Sequence, residues 1–160
     1  MGTLRCVGVG KDRSAPPFDL VVLPHEQRRV RRTVLTLRHG DRLALDLPET
    51  VTLADRDRLV LDDGREAEVV AAEERLLEVT AATPEALAEL AWHLGNRHTS
   101  AQVEAGRILV ARDPVLGRML QGLGAVIREV EEPFEPLWGA YHEHGHALGH
   151  AHDHAHGHDG

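Results

Sequence analysis

The sequence predicts an α+β chain in three parts, and three observations carry that reading. Residues 20 to 70 alternate apolar and polar side chains in the manner of half-buried strands. Residues 76 to 132 hold two capped helical stretches set among short strands. The last nineteen residues, "HEHGHALGHAHDHAHGHDG", contain eight histidines and almost nothing apolar. The predicted parts are a small all-β domain over 1–73, a mixed domain over 74–137 and a flexible tail over 138–160.

Composition limits what fills these parts. Of the 160 residues, 42% are hydrophobic but only 3% aromatic, so Leu, Val and Ala must build the core. Formal charge is −8 with histidines neutral, a field that opposes a phosphate backbone, so nucleic acid is not an expected partner. Cys6 is the only cysteine, which excludes an intramolecular disulfide and a Cys-rich zinc module. No stretch approaches the ~18 apolar residues of a membrane span, and a soluble cytoplasmic protein is expected.

In the first part, "RRTVLTLRHGDRLALDL" places Val34, Leu35 and Leu37 before a turn, then Leu43, Leu45 and Leu47 at period two. "HGD" (39–41) and "DDG" (62–64) read as hairpin turns, and Val51, Leu53, Leu59, Val60 and Leu61 continue the strands. A small sandwich or open barrel follows. "PHEQRRVRR" (24–32) adds a basic cluster of Arg28, Arg29, Arg31 and Arg32. It reads as a solvated strand face, or else as a docking patch for an acidic partner. His25 and His39 read as surface loop residues, and Cys6 as too isolated to be reactive.

The second part opens with a strand at "LLEVTA" (76–81). In "TPEALAELAWHLGN" (83–96) Thr83 is the N-cap, Pro84 the first helical residue, and Leu87, Leu90 and Leu94 the buried stripe, with Gly95 as the C′ glycine. "AQVEAGRILVA" (101–111) gives two short strands about Gly106. "DPVLGRMLQGLG" (113–124) is a second helix, capped by Asp113, with Val115, Leu116, Met119, Leu120 and Leu123 facing inward. "AVIREVEE" (125–132) is the last strand. The order β-α-β-β-α-β is that of a ferredoxin-like unit. The tail lacks the apolar content to offset its chain entropy and is expected to be disordered without a ligand.

Histidine spacing points to metal. His142, His144, His146, His150, His152, His154, His156 and His158 fall at i, i+2 and i, i+4 separations, which allow several coordination geometries and suit capacity more than one fixed site. Glu143, Asp153 and Asp159 add oxygen donors. An interleaved run is unlike an expression tag; proton buffering and a functionless solvated end are the competing uses. A second cluster, "WHLGNRH", holds His93 and, less regularly placed, His98. Histidine in a last helical turn usually serves the helix dipole, so His93 is the weaker candidate ligand.

"HLGNRH" (93–98) with Gln102, "DPVLGRML" (113–120), the β-rich half before β-α-β-β-α-β, and the His-rich end together resemble the urease accessory nickel metallochaperones, over essentially the whole chain. The resemblance implies a cytoplasmic homodimer that binds Ni2+, with Zn2+ or Cu2+ as competitors. It implies an N-terminal domain that binds peptide or partner, and a ferredoxin-like domain that dimerises. It further implies that His98 is the ligand each subunit brings to a site on the two-fold axis, where tail histidines can complete the shell. The implied partners are a urease accessory GTPase and the apo-urease activation complex. The chain departs from the family where some members have an H-x-H pair, at Arg112-Asp113-Pro114, and where many have proline, at Ser100.

The resulting expectation is a carrier delivering nickel for urease assembly. The alternative is a nickel or zinc storage or detoxification protein in which the tail is the only metal site. Catalysis is not expected: H-E-x-x-H is absent, and Glu104 and Asp113 read as solvated or capping carboxylates. No G-x-x-x-x-G-K-[ST] loop is present and Lys11 is the only lysine, so the chain is not itself the GTPase.

Overall fold

The computed structural model describes residues 2–138. The tail histidines from His142 to His158 lie outside the described residues. Six strands form the first sheet: β1 (Leu4–Gly10), β2 (Asp19–Leu23), β3 (Arg29–Thr36), β4 (Arg42–Thr52), β5 (Arg58–Leu61) and β6 (Glu66–Ala71). Their order is β2-β6-β5-β1-β4-β3, with β1 parallel to β4, β2 parallel to β6 and the other neighbours antiparallel.

Period two decides which side chains are inside. Leu43, Leu45 and Leu47 of β4 point to one face and meet Leu59 and Leu61 of β5 and Val69 of β6; all are buried. Each such leucine contributes about 2 kcal/mol through lost contact with water. Gly40 (φ 102°) and Gly64 (φ 88°) supply the left-handed backbone at the two predicted turns. Just beyond β3, Arg38 N–H donates to Leu20 O of β2 at 2.8 Å, so the two edge strands meet and the sheet curls on itself. One continuous sheet of this kind accords with an open barrel, not a sandwich.

A second, antiparallel sheet holds β7 (Glu73–Thr80), β8 (Ala101–Val103), β9 (Ile108–Ala111) and β10 (Val126–Pro133) in the order β10-β7-β9-β8. Helices α1 (Pro84–Asn96) and α2 (Pro114–Gly122) cover one face of it. Leu87, Leu90 and Leu94 from α1 and Leu116 and Leu120 from α2 pack on Leu77, Val79, Ile108 and Val110. Gly117 is buried at this contact, where a Cβ would lie 3.3 Å from Leu77 Cδ1. Both helices begin as expected. Thr83 Oγ1 accepts Ala86 N–H, and Asp113 Oδ1 accepts Val115 N–H and Leu116 N–H.

On the opposite face, Leu76 and Leu109 bury Phe134 completely. Phe134 starts a strap, residues 134–138, that runs between the two sheets. Arg28 Nη2 donates to Phe134 O, Asp55 N–H to Glu135 Oε1 (2.7 Å), Glu135 N–H to Gln102 Oε1 (2.9 Å), and Leu137 N–H to Ala101 O (2.8 Å).

Several expectations are corrected. β1 was not anticipated, because its glycines and single Val-x-Val repeat give little alternation. β7 starts at Glu73, before the apolar residues that announce it, since polar residues continue its pairing with β10. Val115 and Leu123 are exposed; of the predicted α2 stripe, Leu116 and Leu120 are buried and Met119 packs half-buried against the same core. Arg28 is not on a solvated face but buried at 3% exposure under the strap. His25 is no surface residue either. Its side chain is 14% exposed, its Nδ1 lies 2.8 Å from Glu74 Oε1, and its ring packs edge-on against Phe134. His39 is exposed as expected, 3.1 Å from Asp19. Cys6 is buried, which pushes its thiol pKa up and leaves it unreactive.

Candidate metal centre

The end of α1 is the feature on which the site turns. Gly95 does not end the helix: its φ is not left-handed, and α1 runs on through Asn96 to a cap at Arg97. The residue after the cap is His98, with φ 56°. His98 N–H donates to Gly95 O and Thr99 N–H to Leu94 O, both at 3.1 Å. This pair of bonds is the Schellman closure, and His98 fills its left-handed C′ position, where glycine is the usual occupant. The imidazole thus leaves the helix end on a backbone fixed by two hydrogen bonds, and it is exposed.

His98 lines a cleft of about 420 Å³ between the end of α1, strand β8 and the strap. Gly95 and Ala91 form its helical wall; Leu137 and Trp138 form the wall opposite. Gly95 contributes by having no side chain there, since a Cβ on it would meet nothing within 4 Å. Strand β8 is steadied by Gln102, whose amide bonds both Glu135 N–H and Glu104 (3.2 Å). Arg107 closes the network, donating to Glu104, Glu78 and Glu132 at 2.8–3.1 Å. Its guanidinium holds the Glu78 and Glu132 carboxyls below the usual carboxylate range.

The structure separates the two histidines of "WHLGNRH". His93 is half-buried, does not line the cleft, and rests edge-on against Trp92 at 5.1 Å between ring centroids. Its carbonyl accepts Arg97 N–H in the helix terminus. Among the described residues, no three His, Cys, Asp or Glu side chains gather as a metal-holding group. Asp113 is a helix cap, and Arg112 donates to Val130 O, so the positions that depart from the family serve α2 and β10. Glu104 is an ion-pair partner of Arg107, not a free carboxylate.

Two site features escaped the sequence reading. Trp92 is 65% exposed on α1, and Leu137 and Trp138 wall the cleft. The signal for the second was present: "PFEPLW" puts three large apolar residues into a segment otherwise marked as irregular by its prolines.

Comparison with known proteins decides the family. The N-terminal domain of UreE urease accessory protein matches residues 7–72, and the C-terminal domain of the same family matches residues 74–159. The chain belongs to the UreE urease accessory protein family. Its relatives include the urease accessory protein UreE of Rhizobium meliloti strain 1021, 58% identical over 81% of this chain and 84% of the relative. The UreE of Rhizobium rhizogenes strain K84 is 54% identical over 82% of this chain and 79% of its own length. For Mesorhizobium japonicum the figures are 49%, 84% and 69%. The family description is of an accessory protein to urease, not of a catalyst. No described helix is long and apolar enough to cross a membrane.

Proposed function

We propose that this chain is a cytoplasmic nickel carrier for urease maturation, working as a homodimer with His98 of each subunit facing its mate across the two-fold axis. The observation that carries the reading is the placement of His98. An exposed imidazole occupies a glycine position at a helix end, beside the strap from which the histidine tail departs. One loop histidine binds nickel poorly, but a two-fold interface brings two copies together without a second ligand position. Exposed Trp92 on α1, with the small residues Ala88 and Gly95 on the same side of that helix, suits close approach of a second subunit.

In this reading the β-α-β-β-α-β unit within 74–137 is a ferredoxin-like dimerisation domain, a reading its β10-β7-β9-β8 strand order supports. The unit over 1–73 takes partner contacts, and the tail over 138–160 gathers metal. Tail histidines 142 to 158 then complete the coordination at His98, and labile imidazole ligands let an incoming GTPase–apo-urease complex take the ion. Zinc and copper compete for the same ligands.

Nickel titration of three proteins tests this: intact, truncated after Gly139, and His98→Ala. The carrier predicts that truncation lowers stoichiometry but leaves one tight site per dimer, whereas His98→Ala removes that site and spares the tail ions. The tail ions should also dissociate as pH falls through about 6.5, because protons compete for imidazole. Unchanged tail stoichiometry near pH 5 would count against imidazole ligation. Storage by the tail alone is the competing reading. It draws on the lack of any three-residue metal group among the described residues, and it wins if the truncated protein binds no nickel.

A further inference from the structure

We propose that Arg29 and Trp138 are positioning residues that hold the root of the histidine tail at the mouth of the His98 cleft. The inference rests on the carrier reading above. Trp138 is a wall of that cleft, and it also walls a smaller neighbouring one of about 230 Å³ lined by Arg28, Thr52 and Glu135. The Arg29 guanidinium lies 5.5 Å from the centre of the Trp138 ring, within cation–π range. Arg29 opens strand β3 of the first sheet, so the tail root is clasped by one sheet while His98 is presented by the other.

The strap leading to Trp138 is fixed on both sides. Phe134 is fully buried and Arg28, just before β3, donates to its carbonyl; Gln102 and Ala101 of β8 hold Glu135 and Leu137 from the second sheet. Ala101 is three residues from His98, so the ligand and the tail root share one short scaffold. Among the described residues, Trp138 is the last held position on the way to the tail histidines. From it, His142 is four residues away, a reach of at most roughly 14 Å, and His146 eight, at most roughly 29 Å. Those imidazoles act as tethered ligands whose effective concentration at His98 depends on where the tether starts. Freeing Trp138 moves that starting point and lowers the concentration without touching a ligand.

A double-mutant cycle reads this. Nickel affinity at the tight site is measured for Arg29→Gln, Arg29→Lys and Trp138→Ala, each in the parent chain and in a full-length chain whose eight tail histidines are replaced by serine. Positioning predicts that Arg29→Gln weakens the parent about two- to fivefold and Trp138→Ala about tenfold. It also predicts that Arg29→Lys restores most of the loss, that the Arg29→Gln loss vanishes in the serine background, and that the Trp138→Ala loss shrinks there. Equal losses in both backgrounds would mean that the pair only supports the fold, and would overturn the proposal alone. Absence of the tight site from the serine background itself would overturn the carrier reading, and the clamp with it.

Discussion

The two helices of the second unit end in the same way with different residues. At the end of α2, Gly124 (φ 91°) fills the C′ position; Gly124 N–H donates to Gln121 O and Ala125 N–H to Leu120 O, both at 3.0 Å. At the end of α1 the same two bonds form at 3.1 Å around His98. Backbone geometry asks for glycine in both places, since a Cβ in the left-handed region costs about 1 kcal/mol or more. Only α2 satisfies the request. The helix starts show no such divergence: an oxygen-bearing cap followed by proline opens each. The difference lies at one residue, and that residue, His98, is exposed at the cleft.

His98→Gly should therefore act in opposite directions on two properties. The nickel site proposed at His98 should disappear, the largest effect expected, while the fold gains about 1 kcal/mol as strain leaves the C′ position. In a chain of this size such a gain raises the thermal midpoint by about 2–4 °C. Nickel titration and a thermal melt of the metal-free protein read both. A midpoint that stays put or falls would show that His98 is not strained and that the two helix ends are equivalent.

The reciprocal change sharpens the comparison from the other side. Gly124→Ala puts a Cβ into the left-handed region of α2, where space is open but the backbone is unfavourable. Stability should fall by about 1 kcal/mol, seen as a lower urea midpoint with an unchanged slope. Nickel binding should be untouched, because Gly124 lines neither the cleft nor the strap. A change in the tight site here would mean that α2 takes part in the metal centre.

What the sequence made legible follows the same division. Caps, prolines and leucine stripes located both helices, because their signals are local and cheap to satisfy; period two did the same for β4. The end of α1 was misread because Gly95 is the residue a C′ position favours, and only the hydrogen-bond ladder reveals that the helix passes it. Arg28 and His25 read as surface residues in the sequence because their burial depends on Phe134, more than a hundred residues later in the chain. Nothing local encodes that contact. His98 itself could be named from the resemblance, whereas its conformation and its nearness to Trp138 needed tertiary structure.

The misreading at Gly95 leaves a test whose sign alone decides between the two helix ends. Were Gly95 the C′ residue, Gly95→Ala would destabilise the protein by about 1 kcal/mol, as expected for Gly124→Ala. With Gly95 inside α1, at ordinary φ and with nothing within 4 Å of its would-be Cβ, alanine improves helix propensity. A gain of about 0.5 kcal/mol is then expected, the smallest effect of the series. Because the new methyl faces the cleft beside His98, nickel affinity should drop slightly even as stability rises. Chemical denaturation resolves the sign, and a loss of stability would return the helix end to Gly95 and remove the reason for His98 to be strained.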